Sequence, residues 1–516
     1  MTATRIFLFL FCAFMLLTSR EPPWADAHVV YDTTENFVDN AALDVRLESG
    51  PPWFYAHRNG KKYGVFPLGN VIAMVPSYVT YKLVTKLFKS LPDKPIYALA
   101  AHVAPSLMMA AACALFFVVA RRRGLSRGWA TGATMIVAFA TLTFVYARSP
   151  YSEALQTLVL MWLVERTLAM GERPTTAGIG WLAVAAGVLV NSKLVNVLFL
   201  PFVAWYVIDR AYRRRELDRI WRALPLALFV FAEFSALLLW HNYMKTGSLF
   251  DSGYQIKNGV FSGDLFAGLY GLLLSTGKSA FLYSPPLILA VLGARTAWQR
   301  RRAETAFLVV IIAVSLLFNA KFRHWHADYC WGPRHLTAVT PMTMLLAFPW
   351  LPEALQRGRV RLRKLAFAGL VAWGVHTQLL GASIYWDHYI RALIAVKDQT
   401  GAGGWFQEHL SHGHYIPAFS PLRGQRWLLH HLVHDDPDLD RDAPWKSIVP
   451  FPSNTSETWT RIRLDWWLLE FVQGDTKRPK VAAALLLLML AATATTGVFA
   501  LRRPRRDDER QIAAAL

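Results

Sequence analysis

The charged residues that could do chemistry fall in four places, each beside a long apolar stretch. Asp26, His28, Asp32 and Glu35 follow the first such stretch, and Arg148 and Glu153 bracket the segment 148–153. Lys193 closes Asn191-Ser192-Lys193, between two apolar runs. Lys278, in Ser275-Thr276-Gly277-Lys278-Ser279, and Arg334, in Trp331-Gly332-Pro333-Arg334, complete the set. An ionisable group held near hydrocarbon is costly unless it is paired or reaches water. Carboxylates that can accept a proton, gathered with cations that can hold an anion, suit a reaction expelling an anionic leaving group at a membrane surface. Plainer readings exist for each. A solvated loop would carry the same acids, Glu153 would suit the start of a helix, and Lys278 and Arg334 would anchor span ends at headgroups. The residues alone therefore leave an enzyme or a transporter with an outward-facing polar site.

Metal and nucleotide chemistry are less well supported. His324, His326 and Cys330 have ligand-like spacing, but Trp325 and Trp331 beside them suit an interface loop better than a zinc site. His430, His431, His434, Asp435 and Asp436 read as a solvated helix end, so no metal ligands are assigned. No Gly-rich phosphate loop of the P-loop kind is present. Asn454-Thr455-Ser456 fits a glycosylation sequon.

The elements that must position these groups are membrane helices. Of the 516 residues, 54% are hydrophobic and 17% charged, where a soluble chain carries about 25% charged. The mean hydropathy is +0.27. The apolar residues cluster in blocks such as 96–120, 129–147, 371–385 and 481–501, each near the roughly 20 residues that span a bilayer as a helix. Lipid leaves backbone groups no outside partner, so such runs are helical. The formal net charge of +20 is gathered in short connectors: Arg121 to Arg123, Arg210 to Arg219, Arg300 to Arg302, Arg357 to Lys364 and Arg502 to Arg506. Such clusters mark cytoplasmic ends of spans. A nucleic-acid partner would need a continuous basic face on a soluble domain, which is not visible. The three cysteines make no disulfide framework.

Placing every arginine cluster on one side predicts an all-α, polytopic transmembrane bundle of about twelve spans, both termini cytoplasmic. The spans fall at about 4–18, 96–120, 128–147, 153–170, 177–190, 195–208, 224–240, 280–297, 306–320, 335–350, 365–385 and 481–501. An outer loop, 19–95, and a wet outer segment, 386–480, face the periplasm or exterior. The candidate residues then all lie on that outer side. Arg5, a short apolar core and Ala25-Asp26-Ala27 also fit a cleavable secretory signal, whose removal would take Asp26 with it. The reading adopted keeps this span attached. Gly69 to Phe88 interleaves apolar residues with Lys82, Lys86 and Lys89, as an interfacial amphipathic helix does, and Asp264 to Leu274 is a shorter candidate. Packing beneath the loops would produce the same pattern.

The order of local patterns resembles the GT-C superfamily, membrane glycosyltransferases that include protein O-mannosyltransferases and the lipid A aminoarabinose transferase. The resemblance runs from Asp26 through Tyr31 to Val45, then Lys62-Tyr63-Gly64-Val65-Phe66-Pro67-Leu68-Gly69, Tyr151-Ser152-Glu153-Ala154-Leu155, Asn242-Tyr243 with Gly247-Ser248, Gly271 to Pro286, and Tyr329 to Arg334. It covers about 1–385, a transmembrane catalytic module; the outer loop region 386–480 lacks an obvious counterpart, and 481–516 is the final span with its basic cytoplasmic tail. Lys193 and Lys278 stand where many bacterial members look to have arginine, and Ala27 stands where an acid commonly follows the first.

The resemblance implies sugar transfer from a polyprenyl-phosphate carrier to a hydroxyl of an envelope glycan, lipid or protein, at the plasma (inner) membrane, with inversion. Asp26 would be the general base, with Asp32, Glu35 and Glu153 as supporting acids. Lys278, Arg334 and Lys193 would hold the donor phosphate. The resemblance fixes no cofactor, and a divalent metal is compatible with the acids. The competing reading is a multi-span transporter or lipid flippase, which would favour charges at the bilayer midplane and two related halves. Here the charges lie at span ends and no repeat is visible.

Overall fold

The computed structural model describes residues 2–48, 51–254, 259–327, 330–356, 360–400, 411–434, 442–448, 462–473 and 478–501. Tyr329, Arg357, Asp435, Asp436, the 454–456 sequon and the basic tail at 502–516 lie outside them.

Apolar runs become helices throughout. In chain order they are α1 (Thr2–Leu16), α2 (Asp26–Asn40), α3 (Leu68–Leu87), α4 (Asp93–Ala101), α5 (Val103–Arg122), α6 (Arg127–Ala140), α7 (Thr143–Ala147), α8 (Glu153–Glu172), α9 (Thr176–Ser192), α10 (Leu200–Arg213) and α11 (Leu217–Thr246). There follow α12 (Leu265–Leu274), α13 (Ala280–Tyr283), α14 (Leu287–Arg300), α15 (Arg302–Lys321), α16 (Thr340–Met344), α17 (Leu351–Ala354), α18 (Val360–Ser383) and α19 (Asp387–Thr400). Later helices include Pro421–His434, Leu468–Gln473 and Pro479–Leu501. Between α2 and α3 a two-stranded antiparallel hairpin pairs β1 (Tyr55–Arg58) with β2 (Lys61–Gly64), Tyr55 opposite Gly64.

Among the described residues, six helices are long and apolar enough to cross a membrane: 93–122, 194–213, 217–246, 302–321, 361–383 and 479–500. Shorter apolar helices cover 3–16, 176–192 and 265–274. The core lies where α5 packs on α1, α6 and α8, with α9 joining α8 to α11. It is built from fully buried side chains such as Phe14, Phe116, Phe144 and Tyr146.

Three expected spans are interrupted. The run 128–147 breaks at Thr141, whose extended backbone separates α6 from α7. The run 280–297 breaks at Ser284-Pro285-Pro286, because proline has no N–H to continue the ladder. The two breaks meet: the Leu142 N–H donates to Ser284 Oγ at 3.0 Å. The run 335–350 holds only a 3₁₀ turn, Arg334–Leu336, and α16, with Pro341 near the start of α16. Hydropathy averaging passes over all three breaks, each of which carries a polar or proline signal.

At the end bearing the basic connectors, Arg122 pairs with Glu165 at 3.1 Å. Arg123 and Arg301 both reach Glu304, at 3.6 and 3.0 Å. These arginines therefore also tie helix ends together. On α8 the candidate Glu153 begins the helix whose later turns hold Glu165.

Candidate active site

Two carboxylates are placed at helix starts and one arginine lies between them. Asp26 is the first residue of α2, after Ala25 turns the chain at φ 52°. Glu153 is the first residue of α8. The partial positive charge of a helix N-terminus favours an acid at both positions. Arg334 follows Gly332, which adopts φ +60° with the Tyr283 ring so close that a side-chain carbon would fall 2.7 Å from it. Glycine alone fits that turn, and the turn aims Arg334 at the acids.

The Arg334 guanidinium bridges both carboxylates. Its Nε donates to Glu153 Oε1 at 2.9 Å. Its Nη1 lies 3.4 Å from Asp26 Oδ1, and Nη2 donates to Asp26 Oδ2. The Tyr151 ring lies 4.1 Å from the guanidinium carbon, a cation–π contact. Side-chain exposure falls from 18% at Asp26 through 12% at Arg334 to 3% at Glu153. Asp26 is therefore the member most open to a substrate. Burial opposes the charge on Arg334, but Asp26 and Glu153 outweigh it and push its pKa up, keeping it cationic. The second Glu153 oxygen, Oε2, is buried without a hydrogen-bond partner among the described residues.

Lys193 stands beside this cluster. It ends α9 in an extended conformation and is half-buried. Burial lowers its pKa, Glu153 and Asp26 raise it, and Arg334 lowers it, with the net shift downward. The tip that carries it is fixed by the Tyr63–Gly69 segment. A side-chain carbon at Gly69 would fall 2.6 Å from the Asn191 carbonyl oxygen, and Asn70 Nδ2 donates to the Ser192 carbonyl at 2.8 Å. The Gly69 of that motif thus serves close docking of α3 onto the tip preceding Lys193.

The remaining candidates lie elsewhere. Lys278 is 1% exposed, and its Nζ donates to the Cys330 carbonyl at 3.0 Å, with Cys330 Sγ at 3.2 Å. It grips the segment leading to Arg334, which Tyr146 also holds through a 2.8 Å hydrogen bond to the Trp331 carbonyl. Asp32 accepts the Arg46 N–H at 2.6 Å, and Glu35 pairs with the Arg46 side chain at 2.6 Å while accepting from the Tyr97 hydroxyl at 2.7 Å. Burial raises the Glu35 pKa despite these donors. Asp32 and Glu35 thus bind the first outer loop to itself and are separate from the Arg334 cluster. His326 stacks on His414 with centroids 4.8 Å apart, and Cys330 faces Lys278.

Sequence reasoning gave Tyr151 no role and left out Asp465. Arg148 donates through Nη1 to the Ala382 carbonyl at 2.9 Å and through Nη2 to the Asp465 carbonyl at 2.6 Å. Asp465 Oδ1 accepts from Ser19 Oγ at 2.6 Å and from the Arg20 N–H at 3.0 Å. Trp466 Nε1 donates to the Leu16 carbonyl at 2.7 Å. The late outer segment is thereby clasped to the exit of α1. It helps line a small, partly open pocket bounded by Glu21, Trp24, Arg148, Tyr151, Trp386 and Asp465 among others. Ala27 also lines it, next to Asp26. The one local signal was Asp465-Trp466-Trp467, an acid before two tryptophans.

No protein-family model matches the chain, and no curated protein matches it. Among solved structures it is similar to the crystal structure of ArnT from Cupriavidus metallidurans bound to undecaprenyl phosphate, with a TM-score of 0.48 and 17% identity over 89% of this chain and 75% of that one. For the apo state of the same protein the TM-score is 0.46, with 17% identity over 87% and 75%.

Proposed function

We propose that this protein is a GT-C-type membrane glycosyltransferase, moving a sugar from a polyprenyl-phosphate carrier to an acceptor hydroxyl at the outer membrane face. The observation that carries this reading is the bridge from Arg334 to Asp26 and Glu153, each acid beginning a helix, with Lys193 alongside. The sequence resemblance at the same positions supports it.

In this reading Asp26 is the base. The acceptor oxygen bonds to the anomeric carbon as its proton passes to an Asp26 oxygen, and the bond from that carbon to the phosphate oxygen breaks with its electron pair. The carrier phosphate leaves as an anion. Lys193 holds that phosphate as a point charge, Arg334 positions Asp26 and spreads the local charge, and Glu153 fixes Arg334 in turn. Lys278 is assigned to supporting the Arg334 segment from behind rather than to direct phosphate contact. A positioned base of this kind contributes about 10²–10⁴ in rate.

Exposed Ile72, Val79, Leu83 and Leu87 share one face of α3, which suits a helix lying in the membrane interface and admitting a polyprenyl tail. The test uses purified, lipid-reconstituted protein with a polyprenyl-phosphate sugar and envelope extract as acceptor. Donor-dependent release of polyprenyl phosphate with sugar appearing in the extract is the expected result. Transbilayer movement of the donor without sugar transfer would replace this reading by the flippase one.

A further inference from the structure

Far along the chain, the helix Pro421–His434 ends in histidines that the sequence alone suggests are solvated. His431 is instead buried at 4% exposure, its ring against Trp427 with centroids 5.7 Å apart. His430 lies on the exposed side and stacks on His434 at 4.2 Å. The chain returns at Asp442, where one carboxylate oxygen and one ring nitrogen from each of His430 and His431 all lie within 4.8 Å of one another.

We propose that His430, His431 and Asp442 form a divalent transition-metal site, with zinc its preferred ion, independent of the sugar-transfer reading. Two imidazoles and a carboxylate suit zinc, whereas calcium and magnesium take oxygen ligands almost throughout. Zinc binds such atoms at about 2.0–2.2 Å, which sets tetrahedral ligands roughly 3.4 Å apart, so the exposed His430 and Asp442 draw in toward His431 on binding. Three protein ligands leave one position for water or for a further side chain. The ligands are anchored: His431 is held against Trp427, and Asp442 begins the segment in which Trp445 is fully buried against Tyr389, Phe419 and Trp427. The ion would staple the end of the helix to this aromatic cluster, as a cross-link does. Tyr389 also lines, with Lys278, Cys330 and Trp331, a small pocket, so the staple would steady the layer behind the Arg334 segment.

The full chain is purified without a histidine tag, stripped with chelator, and titrated separately with zinc, cobalt and calcium ions. Expected are zinc binding near one ion per chain and a higher thermal unfolding midpoint, with calcium inert. Asp442→Asn and His430→Gln, both at exposed positions, should each weaken zinc binding by at least the about 10–100-fold that loss of an outer-shell partner costs. Cobalt should give the visible absorption of a low-coordinate site in the parent protein only. Zinc binding that is absent, or equally tight in both variants, overturns the proposal. Binding without a midpoint shift overturns the staple.

Discussion

The Arg148 guanidinium reaches the backbone carbonyl of Asp465 at 2.6 Å and its carboxylate at 3.5 Å, joining residues 317 positions apart in the chain. Their side chains are 3% and 2% exposed. Removing one partner of such a pair leaves a buried charge uncompensated, at about 3–5 kcal/mol. Arg148→Met should therefore lower the thermal unfolding midpoint sharply, whereas Arg148→Met combined with Asp465→Asn should lose less than the two single changes summed. A double-mutant cycle on detergent-purified protein measures this, and strictly additive losses would show the clasp to be unimportant.

Asp26→Asn tests the base. Asparagine keeps the size and a hydrogen bond to Arg334 but accepts no proton. Turnover should fall by about 10²–10⁴ while donor binding survives, because a base acts in the transition state. Asp32→Asn and Glu35→Gln, whose partners are Arg46 and Tyr97, should cost less. Donor binding and turnover measured side by side decide it, and wild-type turnover by Asp26→Asn would remove the mechanism.

Arg334→Lys keeps the charge and loses the fork that spans two carboxylates. Loss of a charge-assisted hydrogen bond costs about 1.5–3 kcal/mol, so turnover should fall roughly ten- to a hundredfold. Glu153→Gln should weaken the same positioning. Steady-state kinetics distinguish this from a fold defect if the unfolding midpoint is unchanged, and full activity in Arg334→Lys would contradict the bridging role.

Lys193 supplies a pH signature. Its folded pKa lies below the ordinary 10.5, so in the window between the two values the folded protein binds fewer protons here than the unfolded chain. Stability from this group therefore rises with pH across that window. In the proposed mechanism the ammonium holds the donor phosphate, so affinity should fall by about tenfold per pH unit once pH passes the depressed value. Lys193→Arg, which does not titrate, should abolish that alkaline fall. Identical pH profiles for the two proteins would dismiss Lys193 as the phosphate ligand.

Topology is checked with cysteines at Asn59, in the tight turn of the hairpin, and Ser126, which accepts the Trp129 N–H at the start of α6. In intact cells a membrane-impermeant thiol reagent should label Asn59→Cys and spare Ser126→Cys. The native cysteines give little background, since Cys113 and Cys330 are buried and Cys12 is half-buried. Strong labelling at both positions would break the one-sided arginine assignment.

Helical content was legible because long apolar runs leave the backbone no other solution in lipid. The ends of those runs also pointed to Asp26, Glu153, Lys193 and Arg334. Which of several charges at one end would pair was not legible. Asp32, Glu35 and Lys278 share the region with Asp26, yet Arg46 takes the first two and Cys330 the third. That choice is made by how distant loops dock, and no local spacing encodes it. Asp465 was missed for the same reason: its partners Ser19, Arg20 and Arg148 all come from the first third of the chain.

The first helix also lies beside the last. Arg5 sits 4.0 Å above the Phe499 ring, and a side-chain carbon at Gly497 would fall 3.2 Å from the ring of Phe9. A nascent chain therefore inserts α1 long before Pro479–Leu501 and cannot give it this neighbour until that helix has left the ribosome. Until then one flank of α1 must face lipid or an insertase. A premature stop just before Pro479 would yield a protein holding every proposed active-site residue with that flank open, so membrane quality-control proteases should clear it faster than the full chain. Pulse-chase turnover of the two forms in cells measures the difference.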